Sequence, residues 1–173
     1  MIQLILGGAR SGKSRYAEQL ATATQKPVLY IATAIASDAE MAERIAHHQQ
    51  QRPAEWQLRE CSLDLIDALI EESQKDQTIL VDCLTLWLNN QLFHFPKQDF
   101  ANLFDSLVKG IESSTAEIIF VANEVGLGII PLGEISRTFV DEAGRLNQRL
   151  AQVANRVFFI AAGLPLQLKD DKS

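Results

Sequence analysis

An eight-residue stretch near the N-terminus restricts the fold of this chain more than any other segment. Residues 7–14 read GGARSGKS and fill every fixed position of the phosphate-binding pattern G-x-x-x-x-G-K-[ST]. A short apolar run, residues 2–6, precedes the stretch, and a helical pattern, residues 14–23, follows it. Strand, glycine-rich loop and helix in this order are the context in which the pattern binds nucleotides. The sequence therefore predicts a nucleoside triphosphate site at the N-terminal end of the chain.

The chemistry expected of this loop follows from its residue types. Glycines let the backbone curl around a polyphosphate, and the N–H groups then point at the phosphates from a helix N-terminus. Lys13 would reach the outer phosphates, and the Ser14 hydroxyl would bind magnesium. The second magnesium ligand is expected at the end of another core strand, where the apolar residues 79–81 lead to Asp82. Asp82 alternatively caps the helical pattern at residues 84–92.

The remaining patterns predict an α/β fold. Near-continuous apolar runs, typical of buried parallel strands, lie at residues 2–6, 28–31, 78–82, 117–122 and 156–161. Helical patterns lie between them at residues 39–51, 63–73, 100–112 and 134–154, with Ser62 as the expected N-cap of the second. We expect a P-loop NTPase (RecA-like) fold in which a mostly parallel central sheet carries helices on both faces. The expected organisation is one catalytic domain over residues 1–173, with residues 169–173 frayed.

Composition excludes several classes of protein. The net charge of −6 argues against nonspecific binding to nucleic acid or to a membrane surface. No apolar run approaches the roughly 20 residues that span a bilayer. Because the N-terminus enters the first strand directly, we expect no signal peptide and a cytoplasmic location. Cys61 and Cys83 lack metal-ligand spacing and are expected to be reduced, partly buried thiols.

Two of the three histidines, His47 and His48, are adjacent in a polar segment. Adjacent positions on a helix differ by about 100° in direction, so the two side chains do not serve one site as a pair. Taken alone, such histidines are typical of a solvated surface. The functional alternative is that one of them is a nucleophile, because neutral imidazole attacks phosphorus well.

Several further segments resemble one enzyme family from about residue 2 to residue 163. They are the loop GGARSGKS followed by Arg15, YIAT at 30–33, DAEM at 38–41, the block R-I-x-H-H-Q-x-x-R-P-A-x-W at 44–56, Glu60-Cys61, residues 80–84 followed by Trp87, Asn90 and Phe93, NEVG at 123–126 with Gly128, Ile129 and Pro131, and the helical segment at 139–151. Together they resemble the bifunctional adenosylcobinamide kinase / adenosylcobinamide-phosphate guanylyltransferase of cobalamin biosynthesis. Any P-loop protein could share the first motif, whereas the histidine block and the NEVG segment are far more specific.

The resemblance implies two reactions. The enzyme would phosphorylate adenosylcobinamide, and would then transfer GMP from GTP to adenosylcobinamide phosphate through a GMP-histidine intermediate at His47. Its substrates would be these corrinoids together with GTP, with ATP as the other candidate donor for the kinase step, and its metal would be Mg²⁺. The family also implies a homotrimer, which makes a homo-oligomer the expected assembly. The apolar residues of the stretch 93–107 could serve its interface or simply the core.

The resemblance further implies a nucleotide site that extends beyond the loop. Its residues would be Gly7, Gly8, Ala9, Arg10, Ser11, Gly12, Lys13, Ser14, Ala32, Thr33, Ala34, His48, Gln49, Gln50, Gln51, Glu60 and Asp82. For Glu60, a surface salt bridge and a contact with a guanine or ribose edge both remain open. For Glu124, the sequence leaves open whether the side chain binds the corrinoid, orients a hydroxyl or fixes its own loop. For Arg145, a phosphate contact and an ion pair within its helix both remain open.

Two rival functions fit part of these observations. A single-activity small-molecule kinase on the same fold explains the loop and Asp82 but leaves the histidine block without a role. A nucleotide-dependent regulatory switch predicts slow hydrolysis and no group transfer to a corrinoid. Covalent labelling of His47 and transfer to cobinamide would separate the three functions.

Overall fold

The structure, a computed structural model, describes residues 1–35 and 53–171. Its strands are β1 (Ile2–Gly7), β2 (Val28–Ala32), β3 (Gln57–Glu60), β4 (Thr78–Asp82), β5 (Glu117–Asn123), β6 (Arg156–Ala161) and β7 (Leu164–Asp170). Its helices are α1 (Lys13–Ala23), α2 (Leu65–Glu72), α3 (Leu84–His94), α4 (Phe100–Glu112) and α5 (Glu134–Val153). The helix expected at residues 39–51 lies outside the described residues.

All seven strands form one sheet in the order β3-β2-β4-β5-β1-β6-β7. Every neighbouring pair is parallel except β6 and β7, which are antiparallel. β5 lies between β1 and β4, so the strand that enters the phosphate loop and the strand that ends at Asp82 are separated by one strand. The mostly parallel sheet expected from the apolar runs is confirmed.

The central strands are buried on both faces because helices cover both sides of the sheet. Leu4 and Leu6 of β1 pack with α2, α3, α4 and α5, whereas Ile5 packs on the opposite face against Ala17 and Ala21 of α1. Short alanines on α1 let that helix lie close to the sheet, which brings its N-terminus over the end of β1. In the described part of the chain, no helix is long and apolar enough to cross a membrane.

Two strands, the start of α2 and the C-terminal end of the chain differ most from the sequence predictions. β3 and β7 were not predicted, because both are exposed edge strands without a continuous apolar run. α2 begins after Asp64, not after Ser62. Lys169 and Asp170 were expected to be frayed, but they belong to β7, where Asp170 pairs with Arg156 and Lys169 donates to the last turn of α5.

Candidate functional site

The phosphate loop connects the end of β1 to the start of α1, and its glycines are required by close contacts. A Cβ atom on Gly7 would lie 2.6 Å from the carbonyl oxygen of Ile160. Gly12 has φ of +97°, a backbone conformation that L side chains rarely adopt. The loop is therefore shaped by the absence of side chains at two of its three glycines.

Lys13 is the first residue of α1 and is 8 % exposed. Its ammonium group donates a hydrogen bond to the carbonyl oxygen of Gly8, at 3.0 Å, and so curls back over the loop. Burial lowers the pKa of Lys13, while the nearby Cys83 and Asp82 act in the opposite direction and raise it. A cation held out of water at the N-terminus of a helix is a strong site for a polyanion.

A hairpin turn supports this loop from the side opposite β5. The turn joins β6 to β7 through Ala162 and Gly163, which both have positive φ, as in the two-residue turns of tight hairpins. The Gly163 N–H donates to the carbonyl oxygen of Ser11 at 2.8 Å. A Cβ atom on Gly12 would lie 3.2 Å from the Cα atom of Gly163. The turn of the hairpin therefore contributes to the shape of the phosphate site.

Asp82 lies at the tip of β4, on the side of the site that faces Lys13. Its carboxylate is close enough to Lys13 to favour the charged form of the lysine. Ser14, in the first turn of α1, supplies a hydroxyl at the same end of the sheet. A hydroxyl and a carboxylate are hard oxygen donors of the kind that Mg²⁺ prefers, and Mg²⁺ commonly takes its other ligands from phosphates and water. Among the described residues no cluster of three histidine, cysteine or acidic side chains could hold a metal. The donor set therefore fits Mg²⁺ bound together with a nucleotide.

Thr33 ties the ends of β2 and β4 together. Its buried hydroxyl donates to the Cys83 carbonyl oxygen at 2.7 Å and accepts from the Cys83 N–H at 2.9 Å. The Asn90 side chain donates to the carbonyl oxygens of Thr33 and Ser62, so α3 also holds this junction. Cys83 directly follows Asp82 in the chain. By binding the Cys83 backbone, the Thr33 hydroxyl therefore helps to fix the position of the Asp82 carboxylate.

The Cys83 thiol is buried in the core cluster on the α1 face of the sheet, near Lys13. Burial raises the pKa of Cys83 to about 11, with a further contribution from the Asp82 charge and an opposing one from Lys13. Burial also raises the pKa of Cys61. Both cysteines are free and buried, as the sequence predicted, and neither thiol is ionised to a useful extent near neutral pH.

The end of β5 completes the edge of the sheet between the loop and Asp82. The Asn123 N–H donates to the Thr85 hydroxyl at 2.6 Å, and the Glu124 N–H donates to the carbonyl oxygen of Gly7 at 3.0 Å. The Glu124 carboxylate accepts a hydrogen bond from the Gly126 N–H at 2.6 Å. The NEVG segment therefore lies directly beside the start of the phosphate loop.

The structure brings together most of the predicted site residues that it describes. Those at the carboxyl ends of β1, β2 and β4 are Gly7, Gly8, Ala9, Arg10, Ser11, Gly12, Lys13, Ser14, Ala32, Thr33, Ala34 and Asp82. Glu60 is exposed at the end of the edge strand β3, four strands from β1 and thus about 19 Å away at about 4.8 Å per strand. His47, His48, Gln49, Gln50 and Gln51 lie outside the described residues.

Some residues that shape the site were not among the predicted site residues. Thr85, Asn90 and Gly163 act on the site through backbone hydrogen bonds that join segments far apart in the chain. Asn90 belongs to a segment of the family resemblance, and Gly163 had a local cue, since a glycine after an apolar run is typical of a turn. Arg145 forms an ion pair with Glu142 of its own helix, which is one of the two roles that the sequence left open for it.

A glycine-rich loop between a parallel strand and a helix, a buried lysine and an aspartate at a neighbouring strand tip define a P-loop nucleotide-binding protein. The same architecture occurs in solved structures of low sequence identity. A protein of Pyrococcus horikoshii OT3 is 10 % identical, with a TM-score of 0.58 over 99 % of this chain and 87 % of its own. The RadB recombinase is 14 % identical, with a TM-score of 0.50 over 91 % of this chain and 73 % of its own. These likenesses confirm the RecA-like fold.

The chain belongs to the cobinamide kinase / cobinamide phosphate guanyltransferase family, whose family model matches residues 3–168. It is 49 % identical to the bifunctional adenosylcobalamin biosynthesis protein CobP of Pseudomonas aeruginosa, over 99 % of both chains. It is 40 % identical to the bifunctional adenosylcobalamin biosynthesis protein CobU of Salmonella typhimurium, over 98 % of this chain and all of the relative. The family resemblance identified in the sequence is confirmed, and with it the assignment to a kinase and guanylyltransferase of cobalamin biosynthesis.

Proposed function

We propose that this protein phosphorylates the hydroxyl of the aminopropanol arm of adenosylcobinamide and then transfers GMP from GTP onto the new phosphate. The observation that carries the proposal is the buried Lys13 in the phosphate loop, opposite Asp82, in a chain that matches the family over residues 3–168. One nucleotide-binding edge would serve chemistry at the γ-phosphorus in the first reaction and at the α-phosphorus in the second.

In the kinase step, the loop N–H groups and Lys13 would hold the outer phosphates and stabilise the charge that develops on the transferred group. Ser14 and Asp82 would hold Mg²⁺. When bound, this ion would neutralise phosphate charge. The donor would be GTP or ATP, since the described residues at this edge suit phosphates and do not select a base.

In the guanylyl step, His47 would be the nucleophile. Its imidazole would attack the α-phosphorus of GTP, and the bond to the β-phosphate would break to release pyrophosphate. An oxygen of adenosylcobinamide phosphate would then attack the phosphorus of the GMP-histidine. This attack would free His47 and yield adenosylcobinamide-GDP.

The nucleoside end of GTP would extend from the loop toward the β3 edge of the sheet. Ala32, Thr33, Ala34, His48, Gln49, Gln50, Gln51 and Glu60 are proposed to line it. Support comes from the distance of about 19 Å between β1 and β3. At that distance Glu60 could contact the nucleoside end of GTP while the outer phosphates lie in the loop. Ala32 and Ala34 would contribute backbone groups, and Thr33 would position Asp82.

Covalent labelling tests the guanylyl half of this proposal. Wild type, His47→Ala and the matched control His48→Ala would be incubated with GTP labelled at the α-phosphate and analysed on a denaturing gel. At GTP concentrations that saturate binding, we expect label in wild type and in His48→Ala, which loses a proposed nucleotide contact but keeps the nucleophile. We expect none in His47→Ala, and none in any sample with γ-labelled GTP. Absence of α-label in a wild type that still binds GTP would contradict the guanylyl step and leave only the kinase.

We also propose that the protein acts in the cytoplasm as a homotrimer. A cytoplasmic location suits an enzyme that uses GTP and carries two free thiols. Support for a homo-oligomer comes from an exposed apolar segment before α5, in which Leu127, Ile129, Ile130 and Leu132 lie at the surface.

A further inference from the structure

The acceptor alcohol of the kinase step must lose a proton, and the carboxylates that could take it are few. Among the described residues at the carboxyl ends of the parallel strands, the acidic side chains are Glu60 at the end of β3, Asp82 at the end of β4 and Glu124 directly after β5. Glu60 lies about 19 Å from β1, which is too far to share an acceptor with the γ-phosphate. Asp82 is the carboxylate that fits Mg²⁺. Glu124 is the one that remains.

Glu124 occupies the position that a base for this reaction requires. β5 is flanked by β1 and β4, so residue 124 lies between the phosphate loop and Asp82, about 4.8 Å from each neighbouring strand. Its N–H is bonded to the carbonyl oxygen of Gly7, which fixes its backbone at the entrance to the loop. An alcohol that approaches the outermost phosphate above the strand tips would pass this residue.

The loop around Glu124 holds its carboxylate in one orientation. Oε1 accepts from the Gly126 N–H at 2.6 Å, and a Cβ atom on Gly126 would lie 3.0 Å from that oxygen. Glycine at 126 therefore allows a close contact that a larger residue would disturb. The side chain is half-buried, so a substrate can reach it. With Oε1 anchored by the loop, Oε2 is the oxygen that we assign to the substrate.

We propose that Glu124 is the general base of phosphoryl transfer to the corrinoid alcohol, an inference that rests on the kinase activity proposed above. The proton of the acceptor hydroxyl passes to Oε2 of Glu124 as the hydroxyl oxygen bonds to the γ-phosphorus. The bond between that phosphorus and the β,γ-bridging oxygen breaks, and the nucleoside diphosphate leaves with the electron pair. Glu124 later releases the proton to solvent.

Steady-state kinetics of Glu124→Gln test the proposal, with γ-labelled nucleotide and adenosylcobinamide as substrates. Glutamine keeps an oxygen for the Gly126 N–H but cannot accept a proton at neutral pH. A positioned base contributes roughly 10²- to 10⁴-fold. We therefore expect kcat to fall by at least about 100-fold, with KM for adenosylcobinamide and Kd for nucleotide each changed by less than about fivefold. Glu134→Gln, an exposed carboxylate at the start of α5, is the matched control and should keep full activity.

Chemical rescue separates a base from a structural residue. Glu124→Ala leaves a space at the carboxylate, and added formate or acetate should restore part of its kinase rate in proportion to concentration. Carboxylate salts should not stimulate Glu124→Gln or wild type. A Glu124→Gln rate within threefold of wild type would overturn the proposal. An equal loss of phosphoryl transfer and nucleotide binding, without rescue, would also overturn it by assigning Glu124 to nucleotide binding.

The wild-type control distinguishes failure of this inference from failure of the proposed function. Wild type that binds nucleotide but transfers no label to adenosylcobinamide would contradict the kinase function itself. Wild type that transfers label, alongside an equally active Glu124→Gln, would contradict only the role of Glu124.

Discussion

At the scale of single residues, the phosphate site is built from groups that are unfavourable for folding until a ligand arrives. Lys13 is a cation removed from water whose burial disfavours its charged form. The glycine pattern and the lysine could be predicted from sequence, because a phosphate loop needs them at fixed spacing. The burial of Lys13 between Cys83 and Asp82 could not, because it depends on two strands that are distant in the chain.

We expect Lys13→Met to lose nucleotide binding without losing stability. Methionine fills similar space and removes the buried charge, so the melting temperature of the nucleotide-free protein should stay equal or rise, by about 2–4 °C per kcal/mol gained. Affinity for GTP should fall at least about 100-fold. Differential scanning calorimetry and titration with GTP measure the two effects, and exposed Lys109→Met is the matched control.

The difference in stability between Lys13→Met and wild type should depend on pH in a defined direction. Because burial lowers the folded-state pKa of Lys13 below its unfolded value near 10.5, the charged lysine destabilises the fold at neutral pH. This destabilisation decreases as the pH rises from the pKa of Lys13 in the folded protein toward its pKa in the unfolded chain. The stability advantage of Lys13→Met should therefore shrink at alkaline pH, and an advantage that grew with pH would contradict the desolvation argument.

Thr33 was predicted to line the nucleotide site, and that role stays a prediction. In the structure its hydroxyl binds the backbone of Cys83. Thr33→Val keeps the shape of the side chain but leaves the buried N–H and carbonyl of Cys83 without the threonine hydroxyl. Each unsatisfied group costs about 1–3 kcal/mol, so urea denaturation should show a clear loss of stability. GTP affinity should fall as well, because Asp82 precedes Cys83. Thr33→Ser, which keeps the hydroxyl, should remain near wild type; equal stability of the valine variant would refute the role.

At the scale of elements, the sequence predicts what is buried and misses what is exposed. β1, β2, β4, β5 and β6 were predicted because strands covered on both faces are apolar without interruption. β3 and β7 lie at the two edges, where one side of the strand has no neighbour and the burial pattern is mostly exposed. Their pairing is set by β2 and β6, which no local pattern in residues 57–60 or 164–170 reveals.

The hairpin formed by β6 and β7 is expected to affect nucleotide binding through Gly163. A Cβ atom on Gly163 would meet open space, but the φ of this residue is +79°. The obstacle to substitution is therefore backbone strain alone. Gly163→Val should lose about 1–2 kcal/mol of stability and raise Kd for GTP, since its N–H would no longer be held at Ser11. Denaturant unfolding and GTP titration measure both quantities.

A matched variant identifies the cause of that loss. Asparagine tolerates the left-handed conformation and keeps the N–H donor, so Gly163→Asn should bind GTP nearly as well as wild type. Ala162→Gly, in the same turn, should bind equally well because it relaxes a positive φ. Equal affinities for all three variants would show that the turn does not shape the phosphate loop.

At the scale of the whole molecule, the predicted sheet, the loop and Asp82 meet at one edge because parallel strands end together. Chain order and hydrophobic pattern were sufficient for that prediction. Chain order and hydrophobic pattern did not predict that β5 lies between β1 and β4, because local periodicity does not encode the order of strands in a sheet. This position of β5 places Glu124 beside the loop. Assembly is a further property that depends on surfaces distant in sequence.

The proposed homo-oligomer makes the exposed apolar segment before α5 its expected interface. Ile129 and Leu132 are each 98 % exposed, so aspartate at both positions should leave the protomer folded while disfavouring any apolar contact with another copy. Light scattering after size exclusion should give the mass of a trimer for wild type and of a monomer for Ile129→Asp/Leu132→Asp. Phe93→Asp, at the end of α3, is the matched control for an exposed apolar residue and should remain trimeric. A monomeric wild type would contradict the oligomer, and dissociation by Phe93→Asp alone would move the interface to α3.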